Sequence, residues 1–454
     1  MASTRLYRTQ GTPTNADKWT FSVWVKSTNV DAVNEGSWMG TYVDSSNFEY
    51  VGFNSDKKIN FYSYQSGSGV AHLKTNRAFK DPGAWYHFVY VWDTAASATD
   101  RMRIYINGVE ETSWATDTNP ALNLDSLINT SGNVINIGTY KDSGAVANEF
   151  FQGVMAHAHF CDGQAYAASD FGSTDATSGI WVPNTGPSVT YGDNGFFLKF
   201  ASGALGTDSS GNGNTMSVSG TMTPTKDDAQ NNFCTGNSRA QQIPTAMTYS
   251  NGNLKIAATA AYWNSAYATM GYGSGKWYWE TKCAAVGTHT ATGITASNQT
   301  TGTNTAFCEA TTGDNGWAYK NAAIKSWGGD STVERSYGDT YTTGDVIGCA
   351  HDNTNGVIWW SKNGVWQDSA TIEEIAAGTT TNAAYSGMTT GLIILPAVQC
   401  YGTAGWEYSF GNGYFGTTAV TSAEADDAGY GAMEYDVPTG YYTLCSKNLA
   451  TYGG

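Results

Sequence analysis

The sequence has little charge and few of the residues that favour helices. Charged residues make up 14% of its 454 residues, against about 25% in typical soluble proteins. Leu, Lys and Glu are scarce beside Gly, Thr, Ser and Asn, which argues against a helical bundle. No apolar heptad repeat is present, so we expect no coiled-coil shaft.

Long hydrophobic runs are also missing. The longest, Leu392–Val398, is far shorter than the stretch of about 20 residues that a membrane-spanning helix needs. The first ten residues hold no apolar signal region. We therefore expect a protein that does not insert into membranes and is not exported by the standard signal route.

The seven cysteines follow no metal-binding or redox spacing. None belongs to a C-x-x-C pair, and the odd count argues against a complete set of disulfides. Cys349 and Cys400 lie within apolar, strand-like segments. We therefore predict that the cysteines are buried free thiols that pack as small hydrophobic groups.

Glycine and aromatic residues are abundant. The chain has 53 Gly, 16 Trp and 28 Tyr, and 41% of its residues are hydrophobic, which is enough to fill a core. Such a composition favours strands joined by tight turns. The net charge of −16 would repel phosphates, so we expect no nucleic-acid partner.

Alternating strands are predicted in the first half of the chain. In Trp19–Val25, the residues Phe21, Val23 and Val25 share one face and Trp24 lies on the other. The segment Arg101–Ile106 alternates until it reaches Asn107-Gly108, a dipeptide that supplies the positive φ angles of a two-residue hairpin turn. Another strand is predicted at Gly153–Phe160.

These segments resemble the concanavalin A-like, laminin-G-like jelly roll. The motifs F-S-V-W-V-K, W-Y-H-F-V-Y-V-W-D and R-I-Y-I-N-G-V occur in the family's order over roughly residues 15–165. The resemblance implies an antiparallel β-sandwich that acts as a recognition module.

The second half is identified as SPRY-like (B30.2-like) over about residues 243–415. Five motifs occur in order, from G-K-W-Y-W-E through N-G-W-A-Y and G-D-V-I-G-C-A to the two Asn-Gly turns around V-I-W-W-S-K, ending in S-F-G-N. The best helix candidate is Ser369–Gly378, with a serine cap and a glycine stop.

The segment between the two halves resembles a connector of bacteriophage virion proteins. Its motifs are G-x-N-G-F-x-L-x-F, D-S-S-G-N-G-N and N-N-F-C, and V-P-T-G-Y-Y-T-L-C resembles the closing phrase of such proteins. The predicted organisation is an all-β chain of two tandem antiparallel sandwiches with few short helices. Its parts are a concanavalin A-like domain at 1–165, a connector with extra strands at 166–240, a SPRY-like domain at 241–415 and a tail at 416–454.

No catalytic motif is present. The E-x-D-x-E pattern that would place the carboxylates of a concanavalin A-like glucanase on one strand face is absent, and so are G-x-S-x-G and phosphate-binding loops. We therefore predict that the protein is not an enzyme. The Asp208-x-Ser210-x-Asn212 spacing matches the start of a calcium loop, but position twelve is Ser219 and not Glu. We expect a plain turn with calcium as an alternative, and no other cofactor.

Sugar binding requires exposed aromatic faces together with amides and hydroxyls. Five aromatic residues beside glycine and polar residues are candidates for glycan binding, with a core position at a strand end as the alternative for each: Trp38, Tyr62, Tyr64, Trp327 and Trp406.

The resemblances predict a phage virion surface protein. Its function would be that of a tail-fibre or other receptor-binding component that binds host surface polysaccharide multivalently, as a homo-oligomer, with a trimer favoured, among other virion proteins. Two alternatives stay open: a fibre or decoration protein on the capsid surface, and an enzyme that degrades polysaccharide.

Overall fold

The computed structural model divides the chain into two compact units. Unit 1 holds residues 1–224 and 228–230, and unit 2 holds 225–227 and 231–454. The residues that the structure describes are 4–28, 36–141, 149–176, 178–241, 247–259, 261–297, 306–308, 315–329 and 334–453. The domain bounds predicted from the sequence stay a prediction.

Unit 1 contains two large antiparallel sheets. In spatial order, the eight described strands of the first sheet are β10 (Trp114–Thr118), β6 (Ser68–Ala78), β5 (Lys58–Gln65), β4 (Asn47–Phe53), β3 (Ser37–Asp44), β11 (Val134–Ile137), β1 (Arg5–Thr9) and β16 (Ser217–Ser219). Those of the second sheet are β15 (Phe196–Leu198), β12 (Gly153–Asp162), β2 (Lys18–Ser27), β7 (Trp85–Asp93), β8 (Met102–Ile106) and β9 (Val109–Glu110). A small hairpin pairs β13 (Gly172–Thr174) with β14 (Trp181–Pro183), and a 3-10 turn covers Ala168–Asp170.

The core of unit 1 follows the predicted alternation. Phe21, Val23 and Val25 are buried in the main cluster, whereas Trp24 lies outside that cluster and stacks on His87 with ring centroids 4.7 Å apart. Asn107 and Gly108 have φ angles of 49° and 85°. The predicted two-residue turn between β8 and β9 is therefore confirmed.

Unit 2 also contains two large sheets. The seven described strands of the first are β17 (Gly236–Gln241), β20 (Asn264–Ala268), β29 (Ile394–Tyr401), β22 (His289–Ala296), β23 (Gly316–Lys320), β24 (Ile324–Trp327) and β25 (Glu334–Ser336). Those of the second are β18 (Met247–Ser250), β19 (Lys255–Ala258), β30 (Ala404–Ser409), β21 (Lys276–Ala285), β26 (Val346–Asp352), β27 (Val357–Lys362) and β28 (Val365–Trp366), with β33 (Tyr442–Thr443) parallel to β21. A further hairpin pairs β31 (Tyr414–Phe415) with β32 (Thr418–Ala419).

The described helices of unit 2 are short. They are α1 (Ile372–Ala377), α2 (Ser446–Tyr452) and a 3-10 turn at Gln367–Ser369. The predicted serine cap of α1 is wrong, because Thr371 is the N-cap and its side chain accepts a bond from the Glu374 amide. Gly378 ends the helix with a φ of 72°, as predicted. The all-β, antiparallel sandwich class is confirmed, and the described part of the chain contains no helix of the length and apolarity that a membrane crossing requires.

Candidate functional site

Two of the predicted glycan-binding residues lie in the cores. Trp38 has no exposed surface and packs against Phe53 and Phe88, with ring centroids 5.2 and 4.5 Å away. Trp406 is also fully buried, and its indole N–H donates to the carbonyl of Gln399 at 3.0 Å. Neither ring offers a face to solvent, so the alternative of a core position applies to these two candidates.

Trp327 lies at the margin of the core of unit 2. Its half-buried ring stacks on Trp317 at 6.0 Å, with the two planes inclined by 13°, and meets Tyr385 edge-on at 6.4 Å. Asp330, part of the polar context that suggested this site, lies outside the described residues. The contacts of Trp327 are those of a packing residue.

Tyr62 and Tyr64 lie on the outer face of the eight-stranded sheet of unit 1. In β5, Ile59 and Phe61 point into the core, so the alternating residues Asn60, Tyr62 and Tyr64 point the other way. Both tyrosines are half-buried. Of the five candidates, these two occupy positions at which a ligand could contact a ring.

Neighbouring strands bring further rings to the same face. Tyr50 lies opposite Tyr62, with ring centroids 5.9 Å apart, and Phe48 stacks on Tyr64 at 5.1 Å. Six half-buried rings form a continuous patch that we call the aromatic platform: Tyr42, Phe48, Tyr50, Tyr62, Tyr64 and Tyr140.

A glycine makes room for the sixth ring. Gly40 faces outward in β3, opposite Tyr50, and a Cβ at this position would lie 2.5 Å from the Cβ of Tyr140. The Tyr140 ring stacks on Tyr50 at 5.0 Å, and its hydroxyl donates to the carboxylate of Glu149 at 3.0 Å. The loop tyrosine is thus fixed above the strand residue that has no side chain.

Polar side chains border the platform. The amide nitrogen of Asn60 donates to the Tyr50 hydroxyl at 3.2 Å, and the Asn60 carbonyl oxygen lies 3.2 Å from Nε2 of His72. With the Asn60 amide in this orientation, the compatible neutral tautomer of His72 is the one with the proton on Nε2. Partial burial, and then the nearby Lys74, lower the pKa of His72, which favours the neutral ring at pH 7.

A buried carboxyl group lies beneath the platform. Glu49 points inward from β4 between the outward-facing Phe48 and Tyr50, and it has no exposed surface. Its carboxylate accepts bonds from Ser126 at 2.6 Å, Ser63 at 2.9 Å and the Leu127 amide at 3.0 Å. Burial outweighs these bonds and raises the pKa of Glu49 to about 7.

The predicted calcium loop is organised by its own donors. The carboxylate of Asp208 accepts bonds from the Phe197 and Asn214 amides and from both the amide and the hydroxyl of Ser210. These four bonds use the four acceptor positions of a carboxylate. Asn212 turns its amide nitrogen to the carbonyl of Gly195. Calcium would have to displace these donors, and the choice between a plain turn and a calcium loop stays a prediction.

No group of three or more His, Cys, Asp or Glu side chains suited to a metal occurs in the described residues. The buried histidine His87 is engaged at both nitrogens: Trp181 donates to Nδ1 at 2.9 Å, and Nε2 lies 2.8 Å from the Ser22 hydroxyl. Burial lowers its pKa to about 3. This imidazole therefore serves packing.

Comparisons with known proteins identify two domains. Residues 4–170 match the family model of the concanavalin A-like lectin/glucanases superfamily (Laminin_G_3), and residues 276–410 match that of the SPRY domain. Both domains expected from the sequence motifs are confirmed. No curated protein matches the chain.

Several solved structures are similar to parts of the chain. The SPRY domain of human HERC1 is 17% identical, with 38% of this chain and 96% of that chain covered and a TM-score of 0.29. The heptameric SAP-like pentraxin of Limulus polyphemus is 19% identical, with 40% and 86% covered and a TM-score of 0.29. Domain 4 of the arabinanase AbnA from Geobacillus stearothermophilus, in complex with arabinotriose, is 16% identical, with 34% and 65% covered and a TM-score of 0.24. With TM-scores this low, the domain assignment rests on the two family matches.

Proposed function

We propose that this protein binds carbohydrate non-covalently through the aromatic platform of its concanavalin A-like domain. The observation that carries the proposal is the platform itself, a continuous patch of rings on a solvent-facing side of a sheet. A continuous patch of partly exposed rings is typical of a binding surface. The lectin-like class of the domain is consistent with a binding role.

The composition of the platform favours a sugar over an apolar partner. Five of its six rings are tyrosines, each with an apolar face and a hydroxyl that donates and accepts hydrogen bonds. A pyranose has the matching surfaces, since its ring hydrogens form an apolar face and its hydroxyls form a polar edge. Asn60 and His72 add polar groups at the border.

Two glutamates of the described part of the chain, Glu149 and Glu49, support binding at the platform without hydrolysis. A glycosidase needs two carboxyl groups about 5–10 Å apart on either side of the scissile bond. Glu149 is hydrogen-bonded to the Tyr140 hydroxyl at 3.0 Å. Glu49 lies on the inner face of the sheet and is fully buried, so a sugar on the platform cannot reach it. We therefore propose that the protein is not an enzyme.

The biological setting that we propose rests on the sequence resemblances. The connector motifs and the V-P-T-G-Y-Y-T-L-C phrase support a phage virion surface protein that attaches to host polysaccharide, with many copies on a particle raising a weak single-site affinity. A homo-oligomeric tail-fibre component, with a trimer favoured, is the first choice, and a fibre or decoration protein on the capsid surface is the second.

Removal of two central rings tests the binding site. We expect affinity electrophoresis to show retardation of the protein by at least one of hydroxyethylcellulose, xylan, mannan, dextran or arabinan. Tyr50→Ala or Tyr62→Ala should weaken that binding about tenfold, since a stacked ring contributes up to about 1.4 kcal/mol. The control is Tyr435→Ala, which removes a half-buried tyrosine of unit 2.

Three results would contradict the proposal. They are the absence of retardation by any of these polysaccharides, equal losses of affinity in Tyr50→Ala and Tyr435→Ala, and release of reducing sugar from the bound polysaccharide.

Antibody labelling of virions that contain the chain tests its location. We expect label on the tail, and label on the capsid would replace the first choice by the second.

A further inference from the structure

The platform is the centre of a longer line of side chains. Strand register joins outward-facing residues of seven neighbouring strands into one line across the eight-stranded sheet, which we call the cross-strand row: Tyr7, Asn136, Gly40, Tyr50, Tyr62, His72 and Thr118. Adjacent strands are about 4.8 Å apart, so six spacings make the row roughly 29 Å long. This length exceeds what a single sugar residue would occupy.

Rings occupy most of the row. Tyr140 fills the position above Gly40, which places it between the strand of Tyr50 and the end of the row at Tyr7. At the other end, the ring of His72 meets Tyr62 edge-on at 4.8 Å. The rings therefore follow one another across the sheet, at right angles to the strands.

A fixed guanidinium extends the row beyond Tyr140. Arg5 lies over the Tyr7 ring at 4.7 Å and donates to the side-chain oxygen of Asn136 at 2.8 Å. Asn136 has no exposed surface, so it holds Arg5 from below. A guanidinium has five N–H donors, so Arg5 has donors beyond the one that bonds to Asn136.

The two flanks of the row differ in composition. A second, shorter line of rings runs parallel on one side and contains Tyr42, Phe48 and Tyr64. On the other side, the buried Asn60 lies between Gly52 and Lys74 of the neighbouring strands. The row is thus bordered by rings on one side and by polar groups on the other.

The charges beside the row come close to balance. Among the described residues, Lys74 is paired with Asp56 at 2.9 Å, and Arg5, Lys141 and Glu149 together leave an excess of one positive charge. Since the chain carries a net charge of −16, a polyanion would be repelled at long range. These charges favour an uncharged ligand.

We propose that the cross-strand row binds the interior of an extended, uncharged polysaccharide chain that lies across the strands from Tyr7 to His72. This inference rests on the proposed function and adds to it the length, charge and direction of the bound chain. The protein contacts several sugar residues of the polysaccharide and recognises neither of its ends.

Chain length and two matched variants test the inference. The polysaccharide from the panel above that is retained most strongly is cut to dimer, tetramer and octamer fractions, and binding is measured by calorimetry with the full-length protein. We expect the octamer to bind at least about tenfold more tightly than the dimer, and borohydride reduction of its end to have no effect. Tyr7→Ala, at the end of the row, should weaken octamer binding about tenfold and leave dimer binding unchanged, as expected for one lost ring.

Tyr64→Ala is the control for the direction of the bound polysaccharide chain, because Tyr64 lies on the platform but outside the row. It should change dimer and octamer affinity by the same factor. Equal affinity for dimer and octamer, loss of binding on end reduction, or stronger retention by polygalacturonate than by the neutral panel would overturn the inference and leave carbohydrate binding in place. The inference would also be overturned if Tyr64→Ala, and not Tyr7→Ala, removed the difference between octamer affinity and dimer affinity. Absence of retention by every polysaccharide would overturn both proposals, and an unchanged unfolding midpoint confirms that each variant is folded.

Discussion

The buried carboxyl group of Glu49 makes the stability of unit 1 depend on pH. Because burial raises its pKa to about 7, the folded state keeps the Glu49 carboxyl group protonated up to about pH 7. An unfolded chain would titrate this group near 4.5. The stabilising effect of the protonated group is therefore complete below pH 4.5 and is lost as the pH rises through 7.

We predict that Glu49→Gln reduces this pH dependence. The difference between unfolding free energies at pH 5 and pH 8 should shrink by up to about 3 kcal/mol, the equivalent of the raised pKa. Urea denaturation at the two pH values, followed by a signal from unit 1, measures it. Glu373→Gln, an exposed residue of α1, is the control, and an equal change in both variants would contradict the prediction.

Gly40 is a second residue on which the structure of unit 1 depends, because it leaves room for the Tyr140 ring. A Cβ here would lie 2.5 Å from the Cβ of Tyr140 and 2.6 Å from the Glu49 carbonyl oxygen. We predict that Gly40→Ala destabilises unit 1 by about 1–3 kcal/mol, as overpacking does, and weakens sugar binding because Tyr140 is displaced. Gly186→Ala, where a Cβ meets nothing within 4 Å, should change neither the denaturation midpoint nor the affinity.

At the scale of the element, α1 depends on a reciprocal cap. Thr371 accepts from the Glu374 amide at 3.2 Å, and the Glu374 carboxylate accepts from the Thr371 amide at 3.0 Å. We predict that Thr371→Ala costs unit 2 about 1 kcal/mol of stability in chemical denaturation. Ser369→Ala should cost less, because Ser369 belongs to the preceding 3-10 turn. A larger loss in Ser369→Ala would restore the cap predicted from the sequence.

Local patterns predicted elements better than they predicted exposure. The Asn107-Gly108 turn was predictable because two adjacent residues determine its backbone. The burial of Trp38 was not predictable, because strand register is irregular between Ser37 and Met39. As a result, Trp38 and Met39 are both buried. Simple alternation would have placed these neighbours on opposite faces.

The platform depends on contacts that no short motif records. Tyr62 and Tyr64 were predicted because glycine and polar residues follow them in the sequence, but Tyr50 joins them through register with β4. Tyr140 joins from a loop 100 positions beyond Gly40 in the chain. The available signal was the pair of tyrosines at positions 62 and 64, which would share one face of a strand. Completing the platform requires the pairing of β5 with β4 to be known.

At the scale of the whole molecule, the seven cysteines are buried free thiols, as the sequence predicted. Burial raises the pKa of Cys349 well above its ordinary value, which suppresses the reactive thiolate. We predict that a thiol reagent such as DTNB labels almost none of them in the native protein within minutes and all seven in denaturant. Rapid labelling of native protein, or fewer than seven thiols in denaturant, would contradict this arrangement.

The opposite orientations of neighbouring residues in β4 and β5 have a consequence for evolution. Outward residues such as Tyr50 and Tyr62 can vary, and ligand preference with them, while Val51 and Phe61 preserve the core beneath. Selection on ligand choice and selection on folding therefore act on separate sets of positions. Gly40 is an exception, since a change there alters both, so it should be more constrained than the tyrosines around it in a lineage that changes its target.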